Sequence, residues 1–195
     1  MSARNHINLI ASLLALLVTP VLAYEPESRP FYGGLSFGYA VADQDCNYYN
    51  DDCDGEDTSF SVYAGKRLYK HLAFEIAYLD LGKLDNERYY ETTTAETTGV
   101  NFSVLGILPI DYTGYIYGKA GYMAWNTDYT RKSSTKTTTS DSGTDFTYGL
   151  GIAFVHHNVF EFRMEIERLN ELDENFDDGG AHIINFSIGG SIYIH

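Results

Sequence analysis

The chain has 195 residues, with 13 Lys and Arg against 27 Asp and Glu and a formal net charge of −14 at pH 7. That deficit excludes a nucleic-acid binder, whose phosphate partners require basic patches. The 17 Tyr and 11 Phe accompany 18 Gly and only 4 Pro, a mixture that suits strands apolar on one side only.

In chain order, Met1 to Ala23 comes first: Arg4, an apolar stretch from Ile7 to Val18, then Pro20 and Val21-Leu22-Ala23. A charged start, a short apolar run and small or aliphatic residues at −3 and −1 read as a secretory signal peptide. The run is shorter than the roughly 18–20 apolar residues a spanning helix needs. Residues 24–195 then form the mature chain, the size of a single domain.

Downstream, the dominant pattern is alternation with period 2, the signature of half-buried strands. Val159–Arg168 carries it most clearly. Phe160, Phe162, Met164 and Ile166 interleave with Glu161, Arg163, Glu165 and Glu167, so a strand here has one apolar and one charged face. A helix would scatter those charges around its circumference. The same alternation runs through Phe31–Ala42, Ser59–Tyr69, Leu72–Lys83, Thr98–Leu108, Thr113–Asn126, Phe146–Val155 and Ile183–His195. Together these predict eight strands, an even number.

The connections alternate too. Long polar stretches (Asp43–Thr58, Leu84–Glu96, Thr127–Asp145, Asn170–His182) follow odd-numbered strands. Tight turns at Lys70-His71, Pro109–Tyr112 and His156–Asn158 follow even ones. Short turns at one end and long loops at the other are the layout of outer-membrane barrels, with the turns periplasmic and the loops outside. The reading is therefore all-β: an eight-stranded antiparallel up-and-down transmembrane β-barrel. Its lipid-facing belt is expected to include Phe60, Phe74, Phe102, Leu150, Phe162 and Ile188.

The first long loop holds seven acidic residues and no basic ones. Cys46 and Cys53 lie within it, and an oxidising compartment favours a disulfide between them. Asn50, Asp52 and Asp54, followed by Gly55, have the oxygen-ligand spacing of a calcium loop, with Ser61 where a bidentate Glu would stand. A solvated acidic tip is the other reading. No cofactor is otherwise expected, and no Ser/His/Asp arrangement or Gly-rich phosphate loop stands out.

Several segments resemble the OmpA-type transmembrane domain. Tyr63 to Gly82 is similar to that family's second hairpin, with Gly65, a short turn and the run Phe74-Glu75-Ile76-Ala77-Tyr78. Phe31 to Gly38 is similar to the opening strand, Tyr117 to Trp125 to the fifth and Phe162 to Glu165 to the seventh. The likeness covers nearly all of Phe31 to Ile194. It implies a bare barrel, without the peptidoglycan-binding domain that long members carry. The family's last strand ends on an aromatic residue read by the assembly machinery, where this chain has Ile194 and then His195.

Four charged residues fall on the polar face of their strands: Glu75, Lys119, Arg163 and Glu165. An eight-stranded barrel has an interior just wide enough for side chains to fill, so these charges are expected to converge and pair, with Arg163 as hub for Glu75 and Glu165. The family resemblance implies a plugging or gating role for such a network. The expected function is a non-enzymatic outer-membrane barrel, its expected partners outer-membrane lipids, lipopolysaccharide and the barrel-assembly machinery, and its expected state a monomer. The alternatives are a small-solute pore, a lipid-modifying barrel enzyme and a soluble ligand-binding barrel of lipocalin type.

Overall fold

The computed structural model describes residues 31–43, 52–54, 56–88, 91–110, 113–132, 136–157, 159–172 and 181–194. The expected signal peptide, Cys46 and Asn50 lie outside these residues. So do the side chains of Asp52, Cys53 and Asp54, and with them the expected disulfide and calcium loop. The described strands are β1 (Phe31–Asp43), β2 (Asp52–Asp54), β3 (Glu56–Tyr69), β4 (Leu72–Arg88), β5 (Glu91–Pro109), β6 (Gly114–Lys132), β7 (Lys136–His156), β8 (Phe160–Leu172) and β9 (Ala181–Ile194). Each of β1 and β3 to β9 pairs antiparallel with its sequence neighbour in the wall, and β1 pairs with β9. These eight strands close a barrel. β2 is a three-residue addition to the far end of β4.

The register fixes how the strands slant. Paired residues starting at Phe31 run through Lys66, Phe74, Val104, Ala120, Tyr148, Arg168 and Ile184, returning to β1 at Val41. The return point is ten residues beyond the start. Such a stagger accompanies strands tilted by about 40°, and each row of partners climbs from the turn end of the barrel to the loop end as it circles.

Alternation then sorts every side chain. Phe74, Phe102, Leu150, Phe162 and Ile188 all face outward and exposed, and Phe60 is half-buried beside Phe37, ring centroids 5.1 Å apart. Tyr39, Tyr78, Tyr122 and Tyr148 join them on the outside. The buried set is the other parity: Tyr32, Tyr63, Glu75, Tyr117, Lys119, Arg163 and Tyr193. Among the described residues nothing apolar covers the outer face, as expected where lipid is the solvent.

The polar stretches expected as loops are in part strand. β4 and β5 continue together to Arg88 and Glu91, and β6 and β7 to Lys132 and Lys136, well past the closed wall. Thr-rich, polar-on-both-faces runs carry no period-2 signal, because a ribbon standing in water has no apolar side to mark it. β4 makes the transition at a bulge between Asp80 and Lys83, where Gly82 takes φ 76° and its N–H donates to Asp80 Oδ1 at 3.0 Å. Asp57 Oδ2 accepts from the Lys83 amide at 2.5 Å, tying β3 to this bulge.

Candidate functional site

The lumen is built around the inner face of β8. Because successive strand residues alternate faces, Glu161, Arg163, Glu165 and Glu167 all point inward, one above another toward the loop end. Neighbouring strands add Glu75 from β4 and Lys119 from β6. Each of these six side chains is at most 8% exposed.

They divide into two linked groups. Toward the turn end, Arg163 Nη1 donates to Glu75 Oε2 at 2.8 Å and Nη2 to Glu161 Oε1 at 3.0 Å. Tyr115 and Tyr193 each donate to Glu161 Oε2 at 2.5 Å, and Ser191 donates to Oε1 at 3.1 Å. Toward the loop end, Lys119 Nζ lies 2.9 Å from Glu165 Oε1, 3.2 Å from Glu167 Oε2 and 3.6 Å from Glu75 Oε1. Tyr117 donates to Glu165 Oε2 at 2.7 Å, and Asn101 Nδ2 to Glu167 Oε1 at 2.6 Å. Glu75 joins the groups, touching both cations, and takes a third contact from the Tyr32 hydroxyl at 3.0 Å.

Acids outnumber the two central bases, so hydroxyl and amide donors satisfy the remaining carboxylate lone pairs. Such charge-assisted bonds are roughly twice as strong as neutral ones. Arg67 adds a third cation at the turn end, its guanidinium 4.5 Å from the Tyr115 ring centroid and 5.5 Å from that of Tyr193. Arg163 stacks similarly, 4.1 Å from the Tyr63 ring.

Glycines make the reach across strands possible. Lys119 and Tyr117 must pass over β7 to meet β8, and β7 offers Gly149 and Gly151 on its inner face. A Cβ at Gly151 would run into the Tyr117 ring, and one at Gly65 into the Tyr32 ring that serves Glu75. Aromatic rings lying over glycines also cover backbone a missing side chain would leave bare.

Nearer the loop end the lining changes character. Leu79, Met123, Leu169 and Ile183 sit two to four residues beyond Glu75, Lys119, Glu167 and Asn185 on the same strands, all buried, with Leu81 above them. Trp125 follows, its indole N–H donating to Asp145. Within the charged stretch, the void lined by Ser36, Ser61, Glu75, Lys119, Arg163 and Glu165 is only about 10 Å³, the space of a single water.

The structure thus brings Glu75, Lys119, Arg163 and Glu165 together, with a different wiring from the one expected. Arg163 takes Glu161, not Glu165, as its second carboxylate, and Glu165 goes to Lys119. The glycine gap in β7 admits Lys119 to Glu165, freeing the guanidinium to turn toward Glu161. Glu161, Glu167, Arg67 and the tyrosines were missing from the expected cluster. Their signal was present: all fall on the inward parity of their strands. Among the described residues, no three His, Cys, Asp or Glu side chains converge on a metal position.

A closed eight-stranded wall, apolar outside and polar within, defines a transmembrane β-barrel of the bacterial outer membrane. The chain belongs to the OmpA-like transmembrane domain family, whose family model matches residues 26–188. Among solved structures it is similar to Neisserial surface protein A, at TM-score 0.63 and 13% identity, covering 84% of this chain and 97% of that one. It is similar also to Ail, the attachment invasion locus protein of Yersinia pestis (TM-score 0.53, 16% identity, 85% and 99% covered). The N-terminal β-barrel domain of Pseudomonas aeruginosa OprF matches at TM-score 0.51 and 10% identity, with 85% and 99% covered. Identities this low carry the fold alone. No curated protein matches in sequence.

Proposed function

We propose that this is a non-enzymatic outer-membrane barrel with a plugged lumen, acting by surface contact through its acidic loop end. In this reading the loop end faces outward and the turn end faces the periplasm. The observation that carries it is the filled lumen: every cation at its centre is held by carboxylates, and the void among them is that of one water. A hydrated ion or sugar has no path there, and among the described residues no nucleophile stands beside a base to act on lipid. The strand extensions of β4 to β7 supply the contact surface, with Thr137, Thr138, Thr139 and Ser140 exposed along β7. Ail, a similar fold, was solved in complex with a heparin analogue; the acidic loops here favour a basic partner instead.

Two measurements test this. A cysteine at Thr138 should label with a membrane-impermeant maleimide in intact cells. Proteoliposomes carrying the protein should swell in small sugars no faster than empty ones. Labelling only after lysis would reverse the orientation, and fast swelling would make the barrel a pore.

A further inference from the structure

We propose that the outer wall of the barrel carries a site for one anionic glycerophospholipid of the periplasmic leaflet, its acyl chain in a groove on β3 and its phosphate on Lys66. The assignment of leaflet rests on the orientation proposed above.

The groove lies on the lipid-facing side where β1, β3, β4 and β5 meet, with a volume of about 460 Å³. Ala64 floors it, next to Gly33 across the β1–β3 ladder. Two small residues side by side leave a depression between the large side chains around them. Phe31, Phe74, Ile76, Phe102 and Val104 form its sides. A water occupies about 30 Å³ of liquid and a methylene about as much, so the groove has room for one fatty-acyl chain of ordinary length.

The direction of the groove matches a lipid. Paired rows climb toward the loop end as they pass from β1 to β5, so Phe31 and Lys66 lie lowest and Phe102 highest. The cation therefore lies at the turn-end edge of the groove, and the hydrocarbon walls extend from it toward the bilayer centre. Lys66 is exposed, its ammonium 4.9 Å from the Phe31 ring centroid. Among the described residues it is the one charged side chain on the outward parity of the wall in the turn-end half. A lone ammonium at a membrane boundary attracts anionic headgroups, and a phosphate oxygen can approach it as a point charge. The turn-end leaflet of an outer membrane is phospholipid, which fixes the occupant as a glycerophospholipid.

The test uses the mature barrel, refolded into vesicles of phosphatidylglycerol, phosphatidylethanolamine and lipopolysaccharide, then extracted in mild detergent for native mass spectrometry. The parent should keep one phosphatidylglycerol. Lys66→Gln should weaken its retention about fivefold, the effect of one lysine near a charged surface. Ala64→Phe, which fills the groove from the lipid side, should abolish the adduct. Lys66→Arg should restore it, and Arg168→Gln, on the outward face near the loop end, should leave it unchanged. Heat-shifted gel mobility confirms that each variant is a closed barrel. Equal retention by parent, Lys66→Gln and Ala64→Phe would overturn the site. So would a preference for phosphatidylethanolamine, capture of lipopolysaccharide, or a second copy of the chain in place of lipid. Because the refolded protein is used, a wrong orientation would appear in the cell-surface labelling and not here.

Discussion

The two stretches of the lumen are filled by different kinds of side chain. Between Glu161 and Glu167 the interior is a ladder of charges, with Arg163 bound to two carboxylates and Lys119 to three. Two to six residues further along the strands the large buried side chains are Leu79, Leu81, Met123, Leu169 and Ile183, with neutral hydrogen-bonded pairs such as Ser59–Asn185 among them. The ladder is specific and brittle: removing one member leaves its partners charged and dry. The apolar layer is tolerant, since a truncated side chain leaves only a cavity. A barrel this narrow can be filled either way, and in the plugged-lumen reading proposed above the two in series close it by independent physical effects.

That contrast orders the mutational costs. Arg163→Ala should be the most damaging, at about 3–5 kcal/mol, because it leaves Glu161 without a cation and Glu75 with Lys119 alone. Equilibrium unfolding in urea from lipid vesicles reads it. Glu75→Gln placed in that background should recover part of the loss, since a neutral amide has no charge left to strand. If the pair proves additive, the ladder is not one unit and the contrast fails. Leu169→Ala in the apolar layer should cost about 2–3 kcal/mol, the range for a well-packed truncation, by the same unfolding assay. Gly151→Ala tests the reach across β7. The new methyl displaces Tyr117 from Glu165, and overpacking of this kind costs about 1–2 kcal/mol. The tyrosine ultraviolet difference spectrum should change with it, whereas an unaltered spectrum would show that the ring has another way to sit. Outside the barrel, Lys83→Ala breaks an exposed pair with Glu96 at 3.4 Å and should shift the midpoint by no more than about 0.5 kcal/mol.

What could be read from the residues follows the same division. Val159–Arg168 alternates without a fault, so β8 and its inward charges were legible, and Glu75 and Lys119 followed from parity alone. The particular partners were not. Parity puts Glu161 and Glu165 on equal terms beside Arg163, and only the glycine gap in β7, opposite Lys119 once the register is known, decides between them. The extension of β7 from Lys136 was invisible for another reason: its Thr and Ser residues face water on both sides, so no periodicity survives. Leu105 and Ile107, buried inside, also break the rule that inward means polar, because a packed lumen has no water to favour polarity.

The most direct test of a lumen closed twice over is planar-bilayer current through Arg163→Ala beside the parent. With the apolar layer intact, both should stay at the baseline of a protein-free membrane, even though the variant has lost its central cation. Stepwise openings in Arg163→Ala would contradict this, placing the whole seal in the charged ladder and leaving the apolar layer no barrier at all.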